Sequence, residues 1–151
     1  MYGAITRAAV AAFALALPVF SPVAVAVDQQ GAGHASTKRN KVIFSVTDND
    51  KGKWNVVLNN AAAVQQNVGA KDIDVEIVVW GPGINMLKME SVVGNRVEEL
   101  FDKGIKVVAC ETTMHDLKLS ASDMLSKIGY VPGGVIELMQ KQQQGWAYVR
   151  P

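Results

Sequence analysis

Short apolar runs alternate with longer segments of helical spacing through most of this chain, and this alternation constrains the fold more than any other feature. Residues 41–46 (KVIFSV), 75–80 (VEIVVW) and 105–109 (IKVVA) are predicted as buried strands, and residues 130–131 and 146–149 as shorter ones. Strands separated by helices must run parallel, with right-handed crossovers and helices on both faces of the sheet. The sequence therefore predicts an α/β protein with the element order β-α-β-α-β-α-β-α-β.

Apolar residues at helical spacing predict the four connecting helices. They are expected over residues 53–68, from a start between 87 and 92 to residue 103, over 121–128 and over 135–144. The third helix follows a capping box at residues 120–123, and polar, turn-prone residues are expected to form a loop between Cys110 and that box. The fourth helix is expected to face the sheet with Val135, Leu138 and Met139.

The first 26 residues have the layout of a signal peptide. Arg7 precedes an apolar, alanine-rich segment, and residues 24–26 (AVA) fit the small-x-small pattern of a signal-peptidase site. An uncleaved membrane anchor is the alternative, but Pro18 and Pro22 favour cleavage. Residues 27–40 are predicted to be a flexible arm and residues 41–151 the folded domain. We therefore expect a periplasmic or secreted protein that has no membrane contact after signal cleavage.

The charge balance argues against nucleic acid and anionic membranes as partners. The formal net charge is +1. Since Arg7 is the only charged side chain before Asp28, cleavage leaves 14 basic and 14 acidic groups. Either partner requires a basic surface that such a balance does not supply.

Common cofactor and metal signatures are missing from the sequence. No P-loop and no GxGxxG fingerprint occurs, so neither a nucleoside triphosphate nor NAD is expected, and no other cofactor is predicted. The single cysteine excludes an internal disulfide and a thiolate zinc cage, and no metal site is predicted within the chain. A soft metal ion held between two chains by Cys110 and His115 is a weaker alternative.

The single cysteine follows the third predicted strand, at the carboxyl edge where open α/β sheets place their ligand sites. Cys110 is predicted to be an exposed, reactive thiol, with His115 as the base that pairs with the thiolate. Glu111 acts in the opposite direction, because an adjacent carboxylate raises a thiol pKa. The alternatives are a buried cysteine that acts as a small hydrophobic residue, and a loop histidine that is bonded to the backbone.

The sequence GPGIN at residues 81–85 ends the second predicted strand at the same edge of the sheet. Two glycines around a proline allow tight turns and leave amide groups near a ligand. Gly81, Gly83 and Asn85, together with Glu111, are therefore candidate ligand-binding residues. The alternative for the glycines is a turn that needs them only for its shape.

Four segments of the sequence together carry a family resemblance. They are KVIFSVTDNDKGKWNVVLNNAAAV, VEIVVWGPGINML, GIKVVACETTM and VPGGVIELMQKQQQGWAYVRP. In this order they resemble the DsrE/DsrF-like family, in particular its exported single-domain branch. The resemblance covers nearly all of residues 41–151, and it implies a three-layer α/β/α sandwich with a five-stranded parallel sheet.

The same resemblance implies a function. The better-known members of the family carry sulfur as a persulfide on one cysteine and assemble as trimers or hexamers. By this resemblance Cys110 is the carrier in a homo-oligomer, and the partner is a small sulfur-containing molecule or a sulfur-donor protein. The activity would be sulfurtransferase-like. The alternatives are a non-catalytic, homo-oligomeric module in which Cys110 only lines a small-ligand pocket, and a purely structural interaction protein. Trp146 and Tyr148, on a predicted edge strand, are candidate subunit contacts.

Overall fold

The computed structural model describes residues 39–151 and forms one α/β domain. The strands are β1 (Asn40–Val46), β2 (Ile73–Val79), β3 (Lys106–Cys110), β4 (Gly129–Val131) and β5 (Ala147–Val149). The helices are α1 (Lys51–Val68), α2 (Gly94–Asp102), α3 (Glu111–Asp116) and α4 (Gly134–Gln143), and two 3₁₀ segments cover Gly81–Leu87 and Ala121–Asp123.

The five strands form a single parallel sheet in the order β4-β3-β2-β1-β5. The predicted α/β fold with a five-stranded parallel sheet is confirmed. β4 and β5 are three residues long and lie at the two edges, so only β1, β2 and β3 have a neighbour on both sides. Short edge strands limit the backbone that is open to pairing with another chain.

The two faces of the sheet are covered unequally. α1, α2 and the first 3₁₀ segment pack on one face around a large core that includes Phe44, Leu58 and Ile77, each at most 1% exposed. On the opposite face a small apolar cluster involves one helix residue, Leu138 of α4; its other members are Ile43, Val78, Val108 and Val131, with Trp80 and Trp146 packed against it.

The ends of α1 follow from local chemistry. The Asp50 carboxylate accepts hydrogen bonds from the amides of Gly52 at 2.7 Å and Lys53 at 3.1 Å, as an N-cap residue does. Gly69 ends the helix with a φ of 103°, a conformation that favours glycine. The predicted end of this helix after residue 68 is confirmed.

The predicted connection between β3 and β4 was wrong in two respects. α3 begins immediately after Cys110, where a loop was predicted, and the predicted helix over 121–128 is only a 3₁₀ turn. The capping box of Ser120 and Asp123 is present. Beyond it, Leu125 donates its amide to the Leu87 carbonyl at 2.8 Å and Met124 forms an antiparallel bridge with Lys88. These contacts hold the backbone extended, so the apolar side chains are buried without a helix.

The second and fourth helices also differ from the prediction. α2 starts at Gly94, because the preceding residues form the 3₁₀ segment and a turn. In α4, Val135 is 66% exposed and Met139 is 51% exposed, although both were predicted to face the sheet. Leu138 is buried as predicted. The helix is rotated so that Gly134, Leu138 and Lys141, at i, i+4 and i+7, form its inner side.

The predicted signal peptide and residues 27–38 of the predicted arm lie outside the described residues. Asn40, the last residue of that arm, is already part of β1. Within residues 39–151, no helix has the length and apolar character needed to cross a membrane.

Candidate functional site

Cys110 is the last residue of β3, at the carboxyl edge of the sheet, as the sequence predicted. Its register partner on β4 is Val131, and it is also the N-cap residue of α3. The chain therefore changes from strand to helix at the cysteine itself. This abrupt change brings the first amides of α3 next to the sulfur.

The predicted exposure of Cys110 was wrong. The residue is 4% exposed, and the structure records it as a free, buried cysteine. The strand-end position was correct, but α3 starts directly at this residue and the first residue of α4 lies beside it. The sulfur is therefore covered by two helix starts that come from different parts of the chain.

Polar groups surround the buried sulfur. The Thr113 amide donates a hydrogen bond to Cys110 Sγ at 3.4 Å. Burial is the largest influence on the thiol and by itself raises the pKa. It is outweighed by hydrogen bonds from the Thr113 hydroxyl and from the amides of Thr113, Gly134 and Thr112, so the pKa of Cys110 is lowered. A thiol at helix N-termini that is stabilised in this way is more thiolate-like than a free cysteine.

Thr113 connects the cysteine to the GPGIN loop. Its Oγ1 accepts a hydrogen bond from the Gly81 amide at 2.9 Å. Because Oγ1 is an acceptor for Gly81, the hydroxyl proton is free to point elsewhere, and Cys110 is a suitable acceptor. Gly81, which was predicted to bind a ligand, therefore contributes to the cysteine's surroundings through Thr113.

Gly83 has a structural role in this geometry. Its amide donates to the Thr47 carbonyl at 3.0 Å, and a Cβ at this position would lie 2.7 Å from the Val46 carbonyl oxygen. The amides of Gly81 and Gly83 both donate hydrogen bonds within the chain, so neither amide is open to a ligand. Ligand binding by these residues in any other way stays a prediction. The alternative, a turn that needs its glycines for shape and close packing, describes Gly83.

Two open clefts flank α3. One, of about 430 Å³, is lined by Gly81, Pro82, Asn85, Thr113, Asp116 and Leu117. The other, of about 360 Å³, is lined by Glu111, Met114, His115, Leu119, Ser120, Ala121 and Tyr130. The predicted ligand-binding residues are thus divided between two sides of one short helix, and Cys110 lines neither of these two clefts.

His115 is not placed to act on Cys110 within this chain. Its side chain is 91% exposed, and Nδ1 lies 3.5 Å from an Asp116 carboxylate oxygen. At 3.6 residues per turn, a residue five positions after the cap lies about 140° around the helix from it. The predicted pairing of His115 with the thiolate is therefore not formed within the described residues.

The sequence interpretation missed Thr112, Thr113 and Gly134. Thr113 had a local signal, since it lies three residues after Cys110, the spacing between an N-cap and the amide that it caps. Gly134 has no such signal, because its contact with the sulfur depends on β4 lying next to β3.

The described residues form no cluster of metal ligands. Residues 39–151 contain no group of three or more His, Cys, Asp or Glu side chains that could hold an ion.

Comparison with known proteins agrees with this architecture. A sequence model of the DsrE/DsrF-like family matches residues 40–151. The chain belongs to the DsrE/DsrF-like family. The predicted family is thereby confirmed, and the match begins at the first residue of β1.

Solved structures of similar proteins extend the comparison. MTH1491 of Methanobacterium thermoautotrophicum, a protein of unknown function, is 26% identical, with a TM-score of 0.71 over 74% of this chain and 99% of that chain. BT1422 of Bacteroides thetaiotaomicron, also of unknown function, is 18% identical, with a TM-score of 0.62 over 74% of this chain and 95% of its own. The ychN protein of E. coli is 14% identical, with a TM-score of 0.61 over 76% of this chain and 100% of its own. No curated protein matches the chain. The last two structures show the DsrE-like fold alone.

Proposed function

We propose that this DsrE-like protein binds or relays small sulfur species, with Cys110 as the persulfide carrier. The observation that carries the proposal is the convergence of backbone amides and the Thr113 hydroxyl on a strand-end thiol whose pKa is lowered. Sulfur transfer requires an attacking thiolate, and this environment favours the thiolate over the thiol.

The proposed reaction is a sulfurtransferase-like exchange with a hydropersulfide, R–S–SH. The Cys110 thiolate attacks the terminal sulfur of the donor and a new sulfur–sulfur bond forms. The original sulfur–sulfur bond breaks, and R–S⁻ leaves with its electron pair. The products are Cys110–S–SH and the donor thiolate, so neither an outside oxidant nor a cofactor is required.

Burial restricts the donor. Because Cys110 is 4% exposed, a bulky group cannot stand beside the sulfur without displacing α3 or the start of α4. A terminal sulfur on a small molecule, or on an extended end of a donor protein, needs far less space. The hydrogen-bond donors also suit a persulfide, which is anionic and accepts hydrogen bonds.

The alternative function, a non-catalytic binding module, is favoured by one observation. The two clefts beside α3 contain Asn85 on one side and Glu111 and His115 on the other, whereas Cys110 lines neither. A small polar ligand that is held in either cleft would not require a reactive thiol. In this alternative Cys110 only fixes the start of α3.

Assembly and location are also part of the proposal. We infer a homo-oligomer, a trimer or hexamer by analogy with better-known family members. Exposed aliphatic side chains on α4 support it: Val135 (66%), Ile136 (50%) and Met139 (51%). Apolar patches of this kind are typical of subunit contacts. The signal-like leader supports a periplasmic or secreted protein.

The test is intact-mass analysis after treatment with inorganic polysulfide. We expect the wild-type protein to gain whole sulfur atoms, and a thiol reductant to remove them. The Cys110→Ser variant, with unchanged size-exclusion behaviour, should gain none. If the wild type gains no sulfur across neutral and alkaline pH, the carrier proposal is wrong. Sulfur uptake by Cys110→Ser would assign the uptake to a site other than the thiol.

A further inference from the structure

α4 makes one polar contact near each of its ends. Just before its first residue, the Pro132 carbonyl accepts a hydrogen bond from Thr112 Oγ1 at 2.7 Å, and Val131 is the register partner of Cys110, so the first turn of the helix lies beside the cysteine. Near the last turn, Lys141 Nζ lies 2.5 Å from Glu76 Oε2, in the middle of β2. We propose that Glu76 and Lys141 are positioning residues, whose ion pair holds α4 on the sheet with its first turn beside the cysteine.

The ion pair is unusually well buried. Glu76 is 2% exposed and the Lys141 side chain is 16% exposed. Lys141 also lies 3.3 Å from a Glu137 carboxylate oxygen and 4.4 Å from the centre of the Trp146 ring. Its ammonium group is therefore fixed by two carboxylates and an aromatic face, and its position along the sheet is defined.

Few other contacts fix the distal part of α4. Among its residues only Gly134 and Leu138 are buried, so one large aliphatic side chain anchors the helix to the sheet. Val135, Ile136 and Met139 point to the outside. A helix with such a narrow apolar side buries little apolar surface, so hydrophobic contacts alone do not fix its tilt on the sheet. The polar contact of Lys141 with Glu76 fixes that tilt.

The first turn of α4 is held by contacts with α3 and with Trp80. Thr112 Oγ1 donates to the Pro132 carbonyl at 2.7 Å, which fixes the chain just before the helix. A Cβ at Gly134 would lie 2.8 Å from two atoms of the Trp80 ring, so the backbone there is already at its closest approach. The chain is therefore fixed at Pro132, at the start of α4. The Lys141 contact lies about 10 Å along the helix from Gly134 and fixes the direction of the helix axis.

The surroundings of Glu76 decide how the pair must be tested. Its Oε1 is buried and has no hydrogen-bond partner among the described residues. Removing Lys141 alone would leave a buried carboxylate unpaired, with a cost that reflects the orphaned charge. Replacing both partners by apolar residues of similar size removes the charge and leaves no buried polar side chain unpaired. Of the strand neighbours in register with Glu76, Ile43 is apolar and Lys106 is exposed.

The experiment measures the rate of Cys110 alkylation by iodoacetamide as a function of pH. The variants are the double substitution Glu76→Met/Lys141→Met and Gly134→Ala, which acts at the other end of the helix. The matched control is Lys53→Met, which removes an exposed ion pair with Asp48. We expect both test variants to move the midpoint of the rate profile to higher pH and to lower the rate at neutral pH roughly three- to tenfold. The control should match the wild type.

Two results would overturn the inference. One is an unchanged midpoint in the double variant. The other is a rate that rises equally at every pH, which indicates a loosened helix that only uncovers the sulfur. If the double variant does not fold, Glu76→Gln replaces it, because Lys141 then keeps Glu137 as a charged partner and loses only its ion pair with the sheet. An unchanged midpoint in that variant would overturn the inference as well.

The relevance of this inference to sulfur transfer rests on the proposed function, but the two can fail separately. A wild type that takes up no sulfur from polysulfide refutes the carrier and leaves the alkylation result intact. An unchanged alkylation midpoint refutes the positioning role and leaves sulfur uptake intact.

Discussion

Replacing Thr113 with valine removes the hydroxyl group that links the GPGIN loop to Cys110 and keeps the shape of the side chain. In the wild type, Thr113 Oγ1 accepts the Gly81 amide at 2.9 Å, in a partly buried position. Valine leaves that amide without an acceptor. An unsatisfied buried amide costs about 1–3 kcal/mol, and the partial burial places the expected loss of unfolding free energy at about 1–2 kcal/mol.

The same substitution acts on the thiol. The Thr113 hydroxyl is one of the groups that lower the pKa of Cys110, so valine should raise that pKa towards the ordinary cysteine value. The Thr113→Ser variant is the control, because it keeps the hydroxyl and loses only one partly buried methyl group, which costs about 0.5 kcal/mol.

Two assays check this reasoning. Urea unfolding, at a fixed protein concentration, measures the free energy, and the pH profile of iodoacetamide alkylation measures the thiol. We expect the valine variant to lose stability and to react at higher pH, while the serine variant stays near the wild type in both. If valine and serine variants have the same alkylation profile, the hydroxyl has no influence on the thiol and the argument fails.

Three further predictions follow from single contacts. Gly83→Ala should cost about 1–3 kcal/mol in urea unfolding, because its Cβ would lie 2.7 Å from the Val46 carbonyl oxygen. The control is Gly104→Ala, where φ is 75° and an added Cβ would have no neighbour within 4 Å, so only backbone strain of about 1 kcal/mol is expected. If the two alanine variants lose the same stability, the packing argument for Gly83 is contradicted. Asp50→Ala should lower the unfolding free energy by about 1 kcal/mol, and Asp50→Asn by much less, since asparagine also caps helices. The lowered pKa of Cys110 makes the stability of the wild type depend on pH in a way that Cys110→Ser lacks. Relative to this variant, the wild type should gain stability as pH rises from the folded-state pKa towards about 8.5, the pKa of an unfolded cysteine, and should lose it as pH falls. Urea midpoints of the two proteins that stay parallel across this window would contradict the prediction.

Patterns in the amino-acid sequence were enough to predict the architecture and the place of the cysteine in the sheet. Continuous apolar runs, separated by helical segments, predict parallel strands with crossovers, and the structure has that sheet. The first helix ends after residue 68, as its apolar spacing predicted. The position of Cys110 after the third apolar run was enough to place it at the carboxyl edge. All of these features depend on residues a few positions apart.

The surroundings of the cysteine depend on contacts between distant parts of the chain, which no sequence pattern indicated. Gly134 is far from Cys110 along the chain, and their contact exists because β4 pairs with β3 and α4 starts above that edge. The rotation of α4 was likewise not readable from its own apolar residues. A buried glutamate on β2 draws Lys141 inward and leaves Val135 and Met139 outside. The spacing of residues along the chain indicates which side chains share one face of a helix or strand. It does not indicate which part of the protein that face packs against, because this depends on strand order and on charges carried by other elements.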